Sequence, residues 1–183
     1  MSNTLAYLLA NHCAPALCGI KASNLINCRF DIYDNLLEEI DELNQKYNPR
    51  YEFIVLKKTR NNALILVYKR QVLEDSVYKE DNMLYLKENG YPVYDGLDCM
   101  LEYLKDRLAN NKDFPNEIGV FLGYSLDDII AFNDKNKECL YVGIWKVYYD
   151  VEGKLKIFEK YNKCRNVVIK LLDNGFNIER IFR

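Results

Sequence analysis

The chain has 183 residues, 49% hydrophobic, 13% aromatic and 28% charged, with a formal net charge of −2. That length and apolar share suit a single domain, 1–183, and argue against a disordered chain. The small net charge gives no whole-molecule pull on nucleic acid, no run approaches the ~20 apolar residues of a membrane span, and the N-terminus lacks a signal peptide's basic segment. A cytoplasmic protein without a membrane partner, its cysteines reduced, is therefore expected.

Leu5, Leu8 and Leu9 predict a short helix ending near His12. Pro15 suits the first position of a new turn, Gly19 the position just past its end, and Ser23 or Asn24 the cap of another short helical piece. Residues 35–47 read as helix, with Leu36, Ile40, Leu43 and Tyr47 in one stripe and Asn48-Pro49 as the stop. Residues 51–58 and 63–69 are β-rich runs around Thr59-Arg60-Asn61-Asn62, a hairpin in which asparagine would supply positive-φ positions. Residues 71–89 read as one broken helix or two short ones ending at Gly90. Residues 96–109 place Leu97, Leu101, Leu104 and Leu108 on one helical face.

Pro115 opens a short helix that Gly123 closes, and Ser125 with Asp128 resembles a capping box at the start of 126–133. Residues 140–149 read as a third strand, in which Trp145 and its neighbouring tyrosines pack the sheet. Residues 154–173 read as a long helix with Ile157, Tyr161, Cys164, Val168 and Leu171 in register, and Phe176 to Phe182 as a fourth, edge strand. Many helices and few strands, without regular β-α-β alternation, give an α+β class: a small antiparallel sheet of three or four strands covered by several helices.

Chemistry-capable residues concentrate in the first thirty. The only histidine, His12, directly precedes Cys13, and Cys18 and Cys28 follow, half of the chain's six cysteines. If Pro15 opened a helical turn, Cys13 would sit beside free backbone N–H groups, which lower a thiol pKa, as would Lys21 or protonated His12. Cys13 and His12 are thus candidate catalytic residues, and Lys21 and Asn24 candidate ligand-binding residues. The bland alternative is a buried cysteine and a capping histidine. His12, Cys13, Cys18 and Cys28 are also candidate metal ligands, but Cys-x4-Cys-x9-Cys lacks the close knuckle pairs of zinc and iron–sulfur sites. Cys164 or Cys139 could complete such a set through the fold. The residues name no cofactor.

Residues 115–133 have the outline of a helix-turn-helix, yet the second helix presents Asp127, Asp128 and Asn133 and no cation before Lys135, which disfavours nucleic acid. Lys57, Lys58, Arg60, Lys69 and Arg70 crowd the two ends of the hairpin, and the last long helix is rich in lysine. Either could face a phosphate-bearing ligand or an acidic partner, against the plain reading of solvated faces. There is no Gly-x-Gly-x-x-Gly or P-loop.

His12-Cys13-Ala14-Pro15 with Gly19-Ile20-Lys21 and Asn24-Leu25, then Phe114 through Tyr124, then Gly143 with Trp145-Lys146-Val147-Tyr148, and Phe158 with Tyr161 and Lys163-Cys164, resemble the signatures of domain-of-unknown-function family 3793. They run in matching order over nearly the whole chain. The family often has histidine where this chain has Asn116 and proline where it has Ser125. The resemblance implies a cytoplasmic bacterial domain with no assigned activity, loosely associated with genes for iron uptake and flavodoxin. Together these readings favour a domain that binds a small ligand or a protein partner without catalysis of its own. The alternative is a thiol- or metal-dependent enzyme or sensor centred on His12 and Cys13. The third is a nucleic-acid-binding regulator acting through residues 115–133.

Overall fold

A computed structural model describes residues 1–33, 35–110 and 114–182. The chain forms two compact units, Met1–Leu73 with Tyr161–Arg183, and Glu74–Lys160.

The first unit opens with α1, Asn3–Leu17, which continues past His12 and contains Pro15. The expected break does not occur there. Proline removes its own N–H from the helical ladder, and here it falls in the final turn, where the neighbouring Ala16 N–H donates to Asn24 Oδ1 at 3.2 Å. Gly19 does take the role its position suggests: its φ of 71° reverses the chain, and the N–H groups of Ile20 and Lys21 both donate back to the Pro15 carbonyl.

Ser23 and Asn24 begin a strand rather than cap a helix. β1, Ser23–Arg29, pairs antiparallel with β3, Asn62–Lys69, from Ser23↔Tyr68 to Arg29↔Asn62. β2, Tyr51–Lys58, takes the other edge of β3, giving a three-stranded antiparallel sheet in the order β1-β3-β2. A bulge falls between Val55 and Lys57 of β2. The hairpin is as expected, but its turn is not made by left-handed asparagines: among the described non-glycine residues only Asp150 has a positive φ. Thr59 holds it instead. Its N–H donates to the Asn62 carbonyl at 2.9 Å, and its hydroxyl accepts from the N–H groups of Asn61 and Asn62.

α2, Leu36–Tyr47, buries Leu36, Ile40 and Leu43 and packs on β2. Asn44 pins it by exchanging two 2.9 Å hydrogen bonds with the Phe53 backbone. α1 packs on β1 and β3. Leu5, Leu9, Leu17, Phe53, Ile65 and Val67 close the core. Each such side chain contributes roughly 1.5–3 kcal/mol by leaving water. The tail is not an edge strand but a 3-10 helix, Ile178–Phe182, anchored by the Tyr51 hydroxyl donating to the Ile181 carbonyl at 3.0 Å.

α3, Arg70–Val77, leads into the second unit, followed by α4, Glu80–Glu88, and α5, Leu97–Asn110. The region expected as one broken helix or two short ones is therefore two, closed by Gly90 with φ 83°. After the short α6, Ile118–Phe121, comes α7, Leu126–Asn133. The expected strand 140–149 reduces to β4, Tyr141–Val142, and β5, Lys146–Val147, paired two residues to two. A tight bend at Gly143, whose N–H donates to the Trp145 carbonyl, leaves no room for more. Trp145 turns inward, stacked 4.7 Å from Tyr124 and edge-on 4.5 Å from Phe158. α8, Val151–Asp173, is the long helix expected, with the middle of its stripe kept and the two end positions shifted by one residue. Phe158, Tyr161 and Val168 are buried, whereas Ile157 and Leu171 are 37% and 42% exposed.

Candidate functional site

The opening cluster divides. Cys13 faces inward from α1 with no exposed surface, and Cys28 on β1 is equally buried. Lys21 joins them, 4% exposed, its ammonium donating to the Ser23 carbonyl. Burial, reinforced by Cys28, pushes the Cys13 thiol far above its ordinary range, and Lys21 only partly opposes this. Burial raises Cys28 to about 11. Burial also lowers Lys21 to about 7, with Cys13 opposing. A thiol held protonated and out of reach is a poor nucleophile and a poor ligand.

His12 does not share this cluster: one helical step is roughly 100°, and the side chain emerges on the exposed side of α1. Asn24 spends its carbonyl oxygen on the Ala16 N–H. Cys18 is exposed at the end of α1, and burial, with Cys18 adding to it, raises the Cys164 thiol above its ordinary value. Among the described residues no three of His, Cys, Asp and Glu are grouped so as to hold a metal ion.

The hairpin cations divide as well. At the open end, Arg70 Nε donates to buried Glu52 Oε1 at 2.5 Å, and Tyr68 donates to the other carboxylate oxygen at 3.0 Å. At the turn end, Lys58 and Arg60 line a groove of about 430 Å³. Phe30, Leu36 and Leu37 give it an apolar floor, and Glu38 stands at one side. Lys58 lies 5.8 Å from the centre of the Phe30 ring. Asn35, just before α2, also lines the groove and makes no side-chain capping bond. The charge crowding in the sequence pointed to Lys58 and Arg60. Phe30 and the start of α2 carried no comparable signal, because only the sheet pairing brings them there.

The second unit is organised by Asp128, which sequence reasoning placed in a capping box. Ser125 makes no side-chain cap; its hydroxyl donates to Asp128 Oδ2 instead. Trp145 Nε1 donates to the same oxygen at 2.8 Å, and the N–H groups of Tyr148 and Tyr149 reach Oδ1 at 2.8 and 3.2 Å. Burial would raise this carboxyl's pKa, but the four donors together hold it below the ordinary value. Close packing explains two glycines nearby. A Cβ on Gly143 would come within 2.2 Å of the Phe158 ring, and one on Gly119 within 2.8 Å of Ile129. Glu117, also buried, pairs with Arg107 Nη2 at 2.6 Å. The Asn116 side-chain amide donates to Asn133 Oδ1. The outline of a helix-turn-helix thus encloses an interior carboxylate, with Asp127 in the first turn of α7.

The profile of a family described as "Protein of unknown function (DUF3793)" matches residues 9–182, so the chain belongs to that family. It is also similar to the spore germination protein GerQA of Bacillus cereus, 25% identical over 117 residues. That match takes in 63% of this chain and 22% of GerQA, about a fifth of the relative's length. No solved structure matches the chain. Among the described residues, no helix is long and apolar enough to cross a membrane.

Proposed function

We propose that this member of the family binds a small anionic ligand with an apolar portion, in the groove between the β2–β3 turn and the start of α2, and does no covalent chemistry on it. The carrying observation is the pairing of two cations, Lys58 and Arg60, with the apolar floor of Phe30, Leu36 and Leu37 in one groove of about 430 Å³. That volume falls in the range of small-molecule sites. A phosphate or carboxylate would meet Lys58 and Arg60, while a ring or alkyl group would cover Phe30. Glu38 would repel a second negative charge and so favour a monoanionic head.

A thiol-dependent enzyme centred on His12 and Cys13 is the second reading. In its favour is Lys21, a cation beside Cys13. Against it stand the full burial of Cys13 and the exposure of His12 away from it. The likeness to a spore germination protein bears on biological context and leaves the choice between these readings open.

The test is calorimetric titration and thermal melting with inorganic phosphate, phenyl phosphate and benzoate. A ligand that binds the folded chain raises its melting midpoint. Phenyl phosphate and benzoate should do so more than inorganic phosphate, and the Lys58→Ala/Arg60→Ala double variant should lose the effect. Equal behaviour of the variant and the parent would refute the groove as the site.

A further inference from the structure

We infer that the anionic ligand of the groove carries an ammonium as well, so that the site takes a zwitterion of the amino-acid class. This rests on the groove reading above and names its ligand more closely. The carrying observation is a second groove of about 360 Å³ that adjoins the first, with Asn35 and Glu38 lining both. The two grooves have opposite character. The first presents Lys58 and Arg60. The second presents Glu38, Glu39 and Glu42, with Tyr33 as an aromatic wall.

Glu39 is already engaged, its oxygens accepting from the Ser2 N–H and, at 2.8 Å, from the Ser2 hydroxyl. Glu38 and Glu42 differ. Both are exposed, and among the described residues neither forms an ion pair. Lys58 and Arg60 likewise form none among the described residues. Glu38 therefore lines one groove with two cations and neutralises neither. Exposed carboxylates are ordinarily solvated, so the acids alone indicate nothing. Their place beside two unpaired cations, over the apolar floor of Phe30, Leu36 and Leu37, is what selects a ligand bearing both charges.

The chemistry of such a ligand fits the arrangement. Its carboxylate meets Lys58 and Arg60, and its side chain covers Phe30. An ammonium on the adjacent carbon faces Glu38. The Asn35 amide, which can both donate and accept, stands at the boundary between the two charges. Glu42 follows Glu38 by one helical turn, about 5.4 Å along α2. In a dipeptide the ammonium lies one residue, about 3.5 Å, further from the carboxylate, which carries it toward Glu42 and Tyr33. A free amino acid and a short peptide thus share one recognition chemistry: opposite charges flanking an apolar side chain.

The experiment titrates the full chain calorimetrically with 3-phenylpropionate, phenylalanine, glycylphenylalanine and 2-phenylethylamine, which share a ring and differ in charge. Phenylalanine or glycylphenylalanine should bind roughly threefold to fivefold tighter than 3-phenylpropionate, the gain from one part-exposed ion pair. The tighter of the two tells a free amino acid from a peptide, and 2-phenylethylamine, without a carboxylate, should bind weakest. In Glu38→Gln/Glu42→Gln the advantage of the zwitterion should vanish, while 3-phenylpropionate binds as before or better. If neither zwitterion outbinds 3-phenylpropionate, or if the advantage survives the double variant, the inference is overturned. The anion groove then still stands, provided that 3-phenylpropionate needs Lys58 and Arg60. If Lys58→Ala/Arg60→Ala binds 3-phenylpropionate as the parent does, the groove reading falls and the inference with it. The probe comparison uses the unaltered chain, so a folding defect in a variant does not obscure it.

Discussion

Asp128 and Lys21 are charged side chains taken out of water, one in each unit, and both have pKa values displaced downward. For a carboxyl that direction favours the ion; for an amine it disfavours it. Asp128 is met by a hydroxyl, an indole N–H and two backbone N–H groups, enough to offset its lost hydration. Lys21 donates to the Ser23 carbonyl, but the thiol acting on it, Cys13, is kept protonated by burial, so desolvation prevails. Burial alone does not decide ionisation; the fixed partners around the group do.

The largest test of that contrast is Asp128→Ala. It strands the Trp145 indole N–H and two backbone N–H groups and should cost roughly 3–5 kcal/mol. Denaturant unfolding followed by the fluorescence of Trp145 measures it, and a loss under about 1 kcal/mol would mean these hydrogen bonds are incidental. Because the folded carboxyl titrates below its ordinary value, its stabilisation is present above the unfolded pKa and lost as the pH falls through the folded one.

Next comes Lys21→Met. The folded ammonium titrates near 7 against an ordinary 10.5. Below pH 7 both states hold the proton and the cost of burying it is complete. Between those values the unfolded chain binds more protons than the folded one, so stability rises with pH. Cys13 and Cys28 act the other way, keeping protons that unfolded thiols lose around 9.0. The melting midpoint should therefore climb from pH 7 and turn over close to 9. Lys21→Met should flatten the climb and stabilise the protein at pH 7 by roughly 1–4 kcal/mol. A variant with the parent's pH profile would show that Lys21 is solvated after all.

The smallest effect is a difference in rate. Native alkylation should modify Cys18 and Cys99, with Cys13 and Cys28 roughly a hundredfold slower because they wait for the core to open. Cys13 reacting as fast as Cys18 would restore the thiol-enzyme reading.

The readable parts of this fold are those whose burial follows a simple period. Leu36, Ile40 and Leu43, or Leu97 through Leu108, sit on faces that the sequence alone defines. Where a distant partner decides, the signal fails. Ser23 and Asn24 are good caps in isolation, yet pairing with Tyr68 and Val67 makes them strand. Residues 140–149 have the composition of a strand, but Asp128 and Phe158 draw the Trp145 segment into a bend. The same holds for the sites. Lys58 and Arg60 were visible as charge, whereas the groove they line depends on where α2 begins. The cluster at His12 and Cys13 was visible as chemistry, but helix phase exposes His12 and buries Cys13. Cys18 was seen in that cluster too, but it stands exposed at the end of α1, apart from the buried Cys13 and Cys28.

The bulge in β2 has a consequence for how this protein can vary. Val55 pairs with Ile65, Lys57 with Leu64 and Lys58 with Ala63, so Leu56 is a supernumerary residue that the ladder steps around. Had the extra residue been taken into the pairing, every side chain after it would have changed faces, carrying Lys58 away from Phe30. The strand instead absorbs an insertion without losing phase. Lineages that lengthen or shorten β2 at this point can keep both the aliphatic interior and the aim of Lys58, which leaves the turn free to diversify while the sheet stays constant.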